Sequence, residues 1–408
     1  MKTQLEHAKL GRLTPEMRSV ARAEGMDSTA LLHSVARGDA IIMRRGKESV
    51  GIGRGLSTKV NVNIGTSPLR VDPDEEVEKA ILAERYGADT LTDLSMGGDI
   101  AAIRKRIFQA TTVPITTVPI YQTAATIGIG TMTAGDIIST LRQHAEEGVS
   151  SVVLHCASRE IMGAVRGGKR IMGVVSKGGS ITCAYMINTG SENPFLEFFD
   201  EVLGILKRHD IVLSLGNTMR SGCIHDAMDE AQSGEMQLNA GLARRAHEGG
   251  VQAIVEGMGG HVRADRIARY MKRYRKASNA PLFVAGPLPT DIAVGHDHIG
   301  GCVGASIAAG AGADYLCYIT PAEHLGLPSP AQVREGLIAF RIAAHIGDSI
   351  KYGPDVRDRE LSKRRADLDW EGQFSYALDG ETARGMAPKG GPCTMCGDFC
   401  AIKMMRNL

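Results

Sequence analysis

Between residues 59 and 328, short runs of β-branched or apolar residues alternate with longer stretches whose apolar positions recur every three or four residues. That alternation of a strand period with a helix period is the signature of repeated βα units. It predicts strands over 60–64, 89–94, 113–120, 151–155, 171–175, 211–215, 251–255, 282–285 and 315–319. The helices between them carry local signals. Asp72 is placed to cap, Pro73 fits a first helical position, Asp74 and Glu75 an acidic first turn, and Gly87 a stop. Further helices are expected over 195–207, 236–247 and 265–274.

Eight parallel βα units close into a (β/α)8 TIM barrel, so one of these strands must lie outside it. A doubly wound sheet would need a Gly-x-Gly-x-x-Gly turn after its first strand, and there is none. The expected α/β organisation is an amino-terminal region over 1–58, without a sustained period, and a catalytic barrel over 59–328. A helical segment over 329–384, with helices at 333–350 and 357–370, then leads to a Gly/Pro-rich arm over 385–408.

Composition narrows the function. Forty-three per cent of 408 residues are hydrophobic, enough for a sizeable core. Lys+Arg number 47 against 46 Asp+Glu, so no global field draws nucleic acid or an anionic membrane. No signal-peptide core and no membrane-length apolar run is present, and a cytoplasmic protein is expected. In that compartment Cys156, Cys183, Cys223, Cys302 and Cys317 read as free thiols.

The other three cysteines, Cys393, Cys396 and Cys400, fall within eight residues at the end of the arm. Three thiolates on a four-iron cluster leave one iron open to bind something that is not protein. A zinc knuckle with a fourth ligand elsewhere, or a disulfide with a spare thiol, fits the spacing as well.

In a TIM barrel the polar residues at the carboxyl ends of the strands are the candidate site. Here they are Asn63, Tyr121, His155, Asn217, Arg220, Glu256 and His324, with Ser176-Lys177-Gly178-Gly179 after the 171–175 run. Each has a bland alternative as a loop or capping residue; their coincidence on one rim is what points to function. Ser176, Lys177 and Gly178 have the composition of a phosphate cradle, and Arg220 could add a bidentate partner. For a metal, His296 with His298 and His261 with His324 are both open.

These residues, in this order, resemble the phosphomethylpyrimidine synthase family, radical S-adenosylmethionine enzymes of thiamin biosynthesis, over nearly the whole chain. The match is carried by Asn63-Ile64-Gly65, Pro119-Ile120-Tyr121-Gln122, the run from Val175 to Ser180, Gly286-Pro287-Leu288, the run from Tyr318 to Pro328, and the terminal cysteines. The resemblance implies a homodimer whose cluster arm reaches the partner's active site, an external electron donor, and a [4Fe-4S] cluster on Cys393, Cys396 and Cys400 that binds S-adenosylmethionine. It places one divalent ion (Zn, Fe or Co) on His261 and His324. It implies that the substrate, aminoimidazole ribotide, contacts Asn63, Thr92, Tyr121, His155, Ser176, Lys177, Gly178, Asn217, Thr218, Met219, Arg220, Glu256 and Phe283, with Glu256 and Asn217 as catalytic groups.

Departures from the family pattern matter as much. Asp-Gly-Leu-Arg-Pro-Gly becomes Asn217-Thr218-Met219-Arg220-Ser221-Gly222, and Glu-Gly-Pro-Gly-His becomes Glu256-Gly257-Met258-Gly259-Gly260-His261. Met and Tyr contacts become Thr92 and Phe283, Ser-Arg-Gly becomes Ser176-Lys177-Gly178, and the last two cysteines stand one residue closer. Phosphate, metal and cluster groups are kept while those around the sugar and imidazole change. That pattern suits conversion of the same substrate to 5-hydroxybenzimidazole, the lower-ligand precursor of anaerobic cobamides. The thiamin pyrimidine reaction is the second expectation.

Overall fold

The computed structural model describes residues 2–166, 170–388 and 390–405. It contains two compact units, 1–347 and 348–408.

The first unit is built on a closed barrel of eight parallel strands: β3 (Lys59–Ile64), β4 (Thr90–Asp93), β5 (Ile115–Thr117), β6 (Ser151–Leu154), β7 (Val212–Leu215), β8 (Ala253–Glu256), β9 (Leu282–Ala285) and β10 (Tyr315–Cys317). β10 pairs with both β9 and β3, which closes the ring. Every strand is followed by helix, as parallel pairing requires of its crossovers. The Asp72 side chain accepts from the Glu75 amide and starts Pro73–Arg85, as its sequence signals predicted.

The surplus strand is 171–175. It is irregular backbone, with Ile171 and Met172 exposed. Its amides are bound elsewhere: Asp226 accepts from the Ile171 and Met172 N–H groups at 2.9 Å each. A run held by one side chain rather than by neighbouring strands has no ladder to join. Ser176–Gly179 therefore does not follow a strand; it opens the helix Lys177–Thr189, with Ser176 as its cap.

The amino-terminal 58 residues are more organised than their sequence suggested. Helices Gln4–Lys9, Pro15–Ala23 and Ser28–Arg37 precede an antiparallel hairpin of β1 (Ala40–Arg45) and β2 (Glu48–Gly53). Side chains alternate faces along a strand. Ile41 and Met43 of β1, with Ile52, pack against the barrel residues Val212, Ile254, Phe283 and Tyr315. Ala40 and Ile42 pack the other way, against Met17, Val20 and Leu31. Both faces of β1 are buried, which is why it shows no polar alternation to read.

In the second unit the predicted helix 357–370 is two. Val356–Ala366 ends before Leu368, whose φ of 53° is left-handed, and Asp369 caps a new helix, Trp370–Tyr376. The Trp370 indole donates to the Gly391 carbonyl at 2.9 Å, anchoring the start of the cysteine segment. Among the described residues no helix is long and apolar enough to cross a membrane.

If the hairpin is part of the barrel core, truncating its plug destabilises the whole unit. Met43→Ala removes a fully buried side chain and is expected to cost about 2–5 kcal/mol, read as a lower urea midpoint monitored by far-UV circular dichroism.

Candidate active site

A cavity of about 420 Å³ opens at the carboxyl ends of the barrel strands. Asn63, Thr92, Tyr121, His155, Arg220, Glu256, Phe283, His261 and His324 all line it. Ser176, Gly178, Asn217, Thr218 and Met219 do not; Ser176 and Gly178 lie against His155, and Asn217 against Glu256. Lys177 lines an adjoining space of about 230 Å³ that shares Asn63, Leu94, Tyr318 and Glu323 with the first.

One wall is the amino terminus of Lys177–Thr189. The Ser176 hydroxyl accepts from the Gly179 amide at 3.1 Å and meets His155 Nε2 at 2.9 Å. A Cβ at Gly178 would collide with the His155 ring, so glycine is what lets the imidazole lie against the helix end. Burial, with Arg220 nearby, holds His155 down to about 3, and its Nδ1 is buried without a partner. Lys177 Nζ lies 5.3 Å from the Tyr121 ring centroid. Burial pushes the Tyr121 hydroxyl up to about 12 and lowers the Lys177 ammonium. Arg220 makes no hydrogen bond or ion pair among the described residues. A helix end, an ammonium and an uncommitted guanidinium together favour an anionic group.

The loop carrying Arg220 is held from below. Glu235, in the middle of the helix Glu230–Gly249, accepts from the Thr218 amide at 2.8 Å and the Met219 amide at 2.7 Å. Burial raises its carboxyl to about 7 despite those donors. The Asn217 amide N–H donates to Glu256 at 2.9 Å, and its side-chain Nδ2 donates to the Gly257 carbonyl. Burial also raises Glu256, against the pull of Asn217 and Arg220. Met219 is fully buried in the barrel core.

The floor is polar and tightly bonded. Asn61 Oδ1 accepts from Thr90 at 3.0 Å and Thr92 at 2.9 Å, and Asn61 Nδ2 donates to Asn63 at 2.8 Å. Phe283 stacks on Tyr315 with ring centroids 4.1 Å apart. Cys317 receives the Asn63 amide at 3.0 Å, and burial raises its thiol to about 12.

At the rim, His261 and His324 face one another with ring centroids 5.2 Å apart. His261 Nδ1 meets Asp291 at 2.6 Å and His324 Nδ1 meets Asp297 at 3.3 Å. Neither Nε2 has a partner among the described residues. His296 and His298 stand 6.4 Å apart, and His298 Nε2 is committed to Glu335 at 3.0 Å. The first pair has the donor set a divalent ion with open positions requires. Among the described residues no three or more His, Cys, Asp or Glu side chains are grouped to hold a metal.

In the second unit, the Cys396 and Met395 amides hold the Cys393 thiol below its ordinary value. The Gly397 amide donates to the Cys393 carbonyl at 3.0 Å and the Met404 amide to the Cys400 carbonyl at 2.9 Å. Amide donors around a sulfur suit a thiolate ligand of an iron-sulfur cluster.

Glu235, Asp291, Asp297 and Glu323 were not among the sequence candidates. Glu235 reads as one more helix carboxylate, and Asp291 and Asp297 as loop or capping residues; only three-dimensional proximity distinguishes them. Arg220, Glu256 and the histidines, by contrast, are legible as polar residues just beyond strand ends.

Fold and site define a TIM-barrel protein with a polar cavity at the carboxyl face, flanked by Arg220 and Lys177, and a cysteine-rich terminal segment. Comparison with known proteins narrows this: the chain belongs to the Radical SAM ThiC family, whose model matches residues 3–407. It is 45% identical to the phosphomethylpyrimidine synthase of Dehalococcoides mccartyi over 98% of this chain and 97% of that one. It is 44% identical to that of Ignicoccus hospitalis, over 98% and 95%, and 43% identical to that of Thermus thermophilus, over 99% and 96%. Family membership implies a [4Fe-4S] cluster and S-adenosylmethionine.

Two outcomes test this arrangement. Glu235→Gln leaves one buried backbone N–H facing an amide N–H, and is expected to cost about 1–3 kcal/mol in urea unfolding. His155 is bound to a proton more weakly when folded (about 3) than as a free side chain (6.5). Between those values the unfolded chain binds more protons, so stability falls as pH drops from about 6.5, by on the order of 1 kcal/mol per pH unit. His155→Gln is expected to flatten that slope between pH 6.5 and 5, measured as the difference in urea midpoints.

Proposed function

We propose that the chain converts aminoimidazole ribotide to 5-hydroxybenzimidazole, with formate, 5′-deoxyadenosine and methionine released. The observation that carries this reading is the neutral, hydrogen-bonded Asn217 beside Glu256 where the thiamin family pattern has an aspartate. Its Nδ2 donates to a carbonyl and its peptide N–H to Glu256, so it ties two loops together and cannot serve as a base. Thr92 and Phe283 remove further groups of that pattern from the same cavity.

When bound, the cluster and S-adenosylmethionine supply the one-electron chemistry that starts the reaction. The residues of this chain do the rest. The helix end at Ser176–Gly178, with Lys177 and Arg220, holds the phosphate. Glu256, raised by burial, takes or returns a proton near the rearranging carbons. Tyr121, Phe283 and the surrounding apolar wall keep water from reactive intermediates. His261 and His324 hold a divalent ion. A homodimer and an external one-electron donor complete the reading.

A second reading, phosphomethylpyrimidine synthase, is favoured by a specific observation: relatives 43–45% identical over nearly the full chain carry that name. The substituted barrel residues favour the first reading and the relatives' names the second. Product analysis decides. Anaerobically reconstituted protein is incubated with aminoimidazole ribotide, S-adenosylmethionine and a reductant. Fluorescent 5-hydroxybenzimidazole with formate is expected; a phosphorylated pyrimidine with carbon monoxide would replace the first reading by the second. Absence of any product and of 5′-deoxyadenosine, with an intact cluster, would sink both.

A further inference from the structure

We infer that Asp291 and Asp297 are the positioning carboxylates of a two-histidine metal site, each fixing the tautomer and aim of one imidazole. The inference rests on the divalent ion placed on His261 and His324 in the proposed function.

A neutral imidazole carries one N–H. If a carboxylate takes that proton at Nδ1, the lone pair is left at Nε2, the nitrogen free to bind an ion. Both histidines have this arrangement. Asp291 meets His261 Nδ1 at 2.6 Å and Asp297 meets His324 Nδ1 at 3.3 Å, while both Nε2 atoms lack partners among the described residues. The rings face each other at 5.2 Å.

The carboxylates are themselves fixed, so they orient the rings rather than follow them. Asp291 also accepts from the Ile224 amide, at 3.1 Å for its nearer oxygen. Asp297 is buried and is the first residue of the helix Asp297–Gly310, so its backbone is fixed by that helix. The histidine backbones are pinned as well. His261 donates its amide to the Ser221 carbonyl at 3.0 Å and accepts the Ser221 hydroxyl at 2.6 Å. A Cβ at Gly260 would strike that same Ser221 carbonyl. His324 sits at a φ of 62°, a left-handed conformation unusual for a residue with a side chain. An isolated pair of surface ion pairs would need neither this fixation nor two unpartnered nitrogens on rings 5.2 Å apart.

The test is Co2+ equilibrium dialysis on the full-length, cluster-loaded protein under anaerobic conditions, where the cysteines are already occupied. Bound cobalt is counted by elemental analysis, and the high-spin Co2+ signal is followed by electron paramagnetic resonance. Wild type is expected to bind one ion. Asp291→Ala and Asp297→Ala are each expected to weaken binding about 10–100-fold and to alter the cobalt signal, with metal-free thermal unfolding of each variant measured alongside to show that the chain is still folded at the dialysis temperature. Asp291→Asn keeps an acceptor for the imidazole N–H and is expected to lose less, which also serves should the alanine variant fail to fold. Wild-type affinity and signal in the Asp291 and Asp297 variants would overturn the inference while leaving the metal site standing. Failure of wild type to bind Co2+, or binding that His261→Ala leaves untouched, would remove the metal reading itself and this inference with it.

Discussion

A closed eight-stranded barrel must be filled, and how it is filled decides where a ligand can go. Here the filling is uneven. Ile41, Met43 and Ile52 come from a hairpin outside the barrel sequence and pack against Val212, Ile254, Phe283 and Tyr315. Above them Asn61, Thr90, Thr92 and Tyr315 form a closed hydrogen-bonded layer. With that end of the interior sealed, the space left lies at the carboxyl ends of the strands, where the loops bring Arg220, Glu256 and the histidines. The hairpin is therefore as much a part of the site's architecture as any strand, since it supports the ring of Phe283 from behind.

Burial then sets the charges. Taking a titratable group out of water disfavours its charged form, and the same cause moves His155 and Lys177 down and Tyr121, Glu235 and Glu256 up. Arg220, a permanently charged side chain, makes no hydrogen bond or ion pair among the described residues, and the carboxylates its charge acts on, Glu256 and Glu323, are both raised by burial. Glu235 enters indirectly: it grips the Thr218 and Met219 amides just before Arg220, so the cation is aimed by a carboxylate that never reaches the cavity.

The barrel was legible because its parallel strands leave short apolar runs between amphipathic helices, and 282–285 was read to the residue. Two segments were not. The 171–175 run has a strand's composition, but its amides belong to Asp226, a partner more than fifty residues away that no local period reveals. Residues 40–43 form a strand whose two faces are both covered, so the alternation that marks a half-exposed strand is absent. The site divides the same way. Polar residues beyond strand ends stand out in the chain, whereas Glu235, Asp291 and Asp297 act through other residues and look like ordinary helix or loop carboxylates until the fold brings their partners to them.

That distinction bears on how one scaffold could serve two products. Several loops around the cavity are held by contacts to backbone: the Gly179 amide capped by Ser176, the Thr218 and Met219 amides gripped by Glu235, and the isolated bridge between Ser221 and Gly260. Asn217 differs in direction, because its side chain donates, to the Gly257 carbonyl next to Glu256, where Ser176 and Glu235 accept. An ionised aspartate there would set oxygen against oxygen and push the two loops apart, at a cost comparable to a lost buried hydrogen bond. Exchanging Asp for Asn at this position therefore changes more than a charge. Asp in place of Asn removes the donor that ties position 217 to the Gly257 carbonyl, so the spacing of the two loops beside Glu256 depends on the amide.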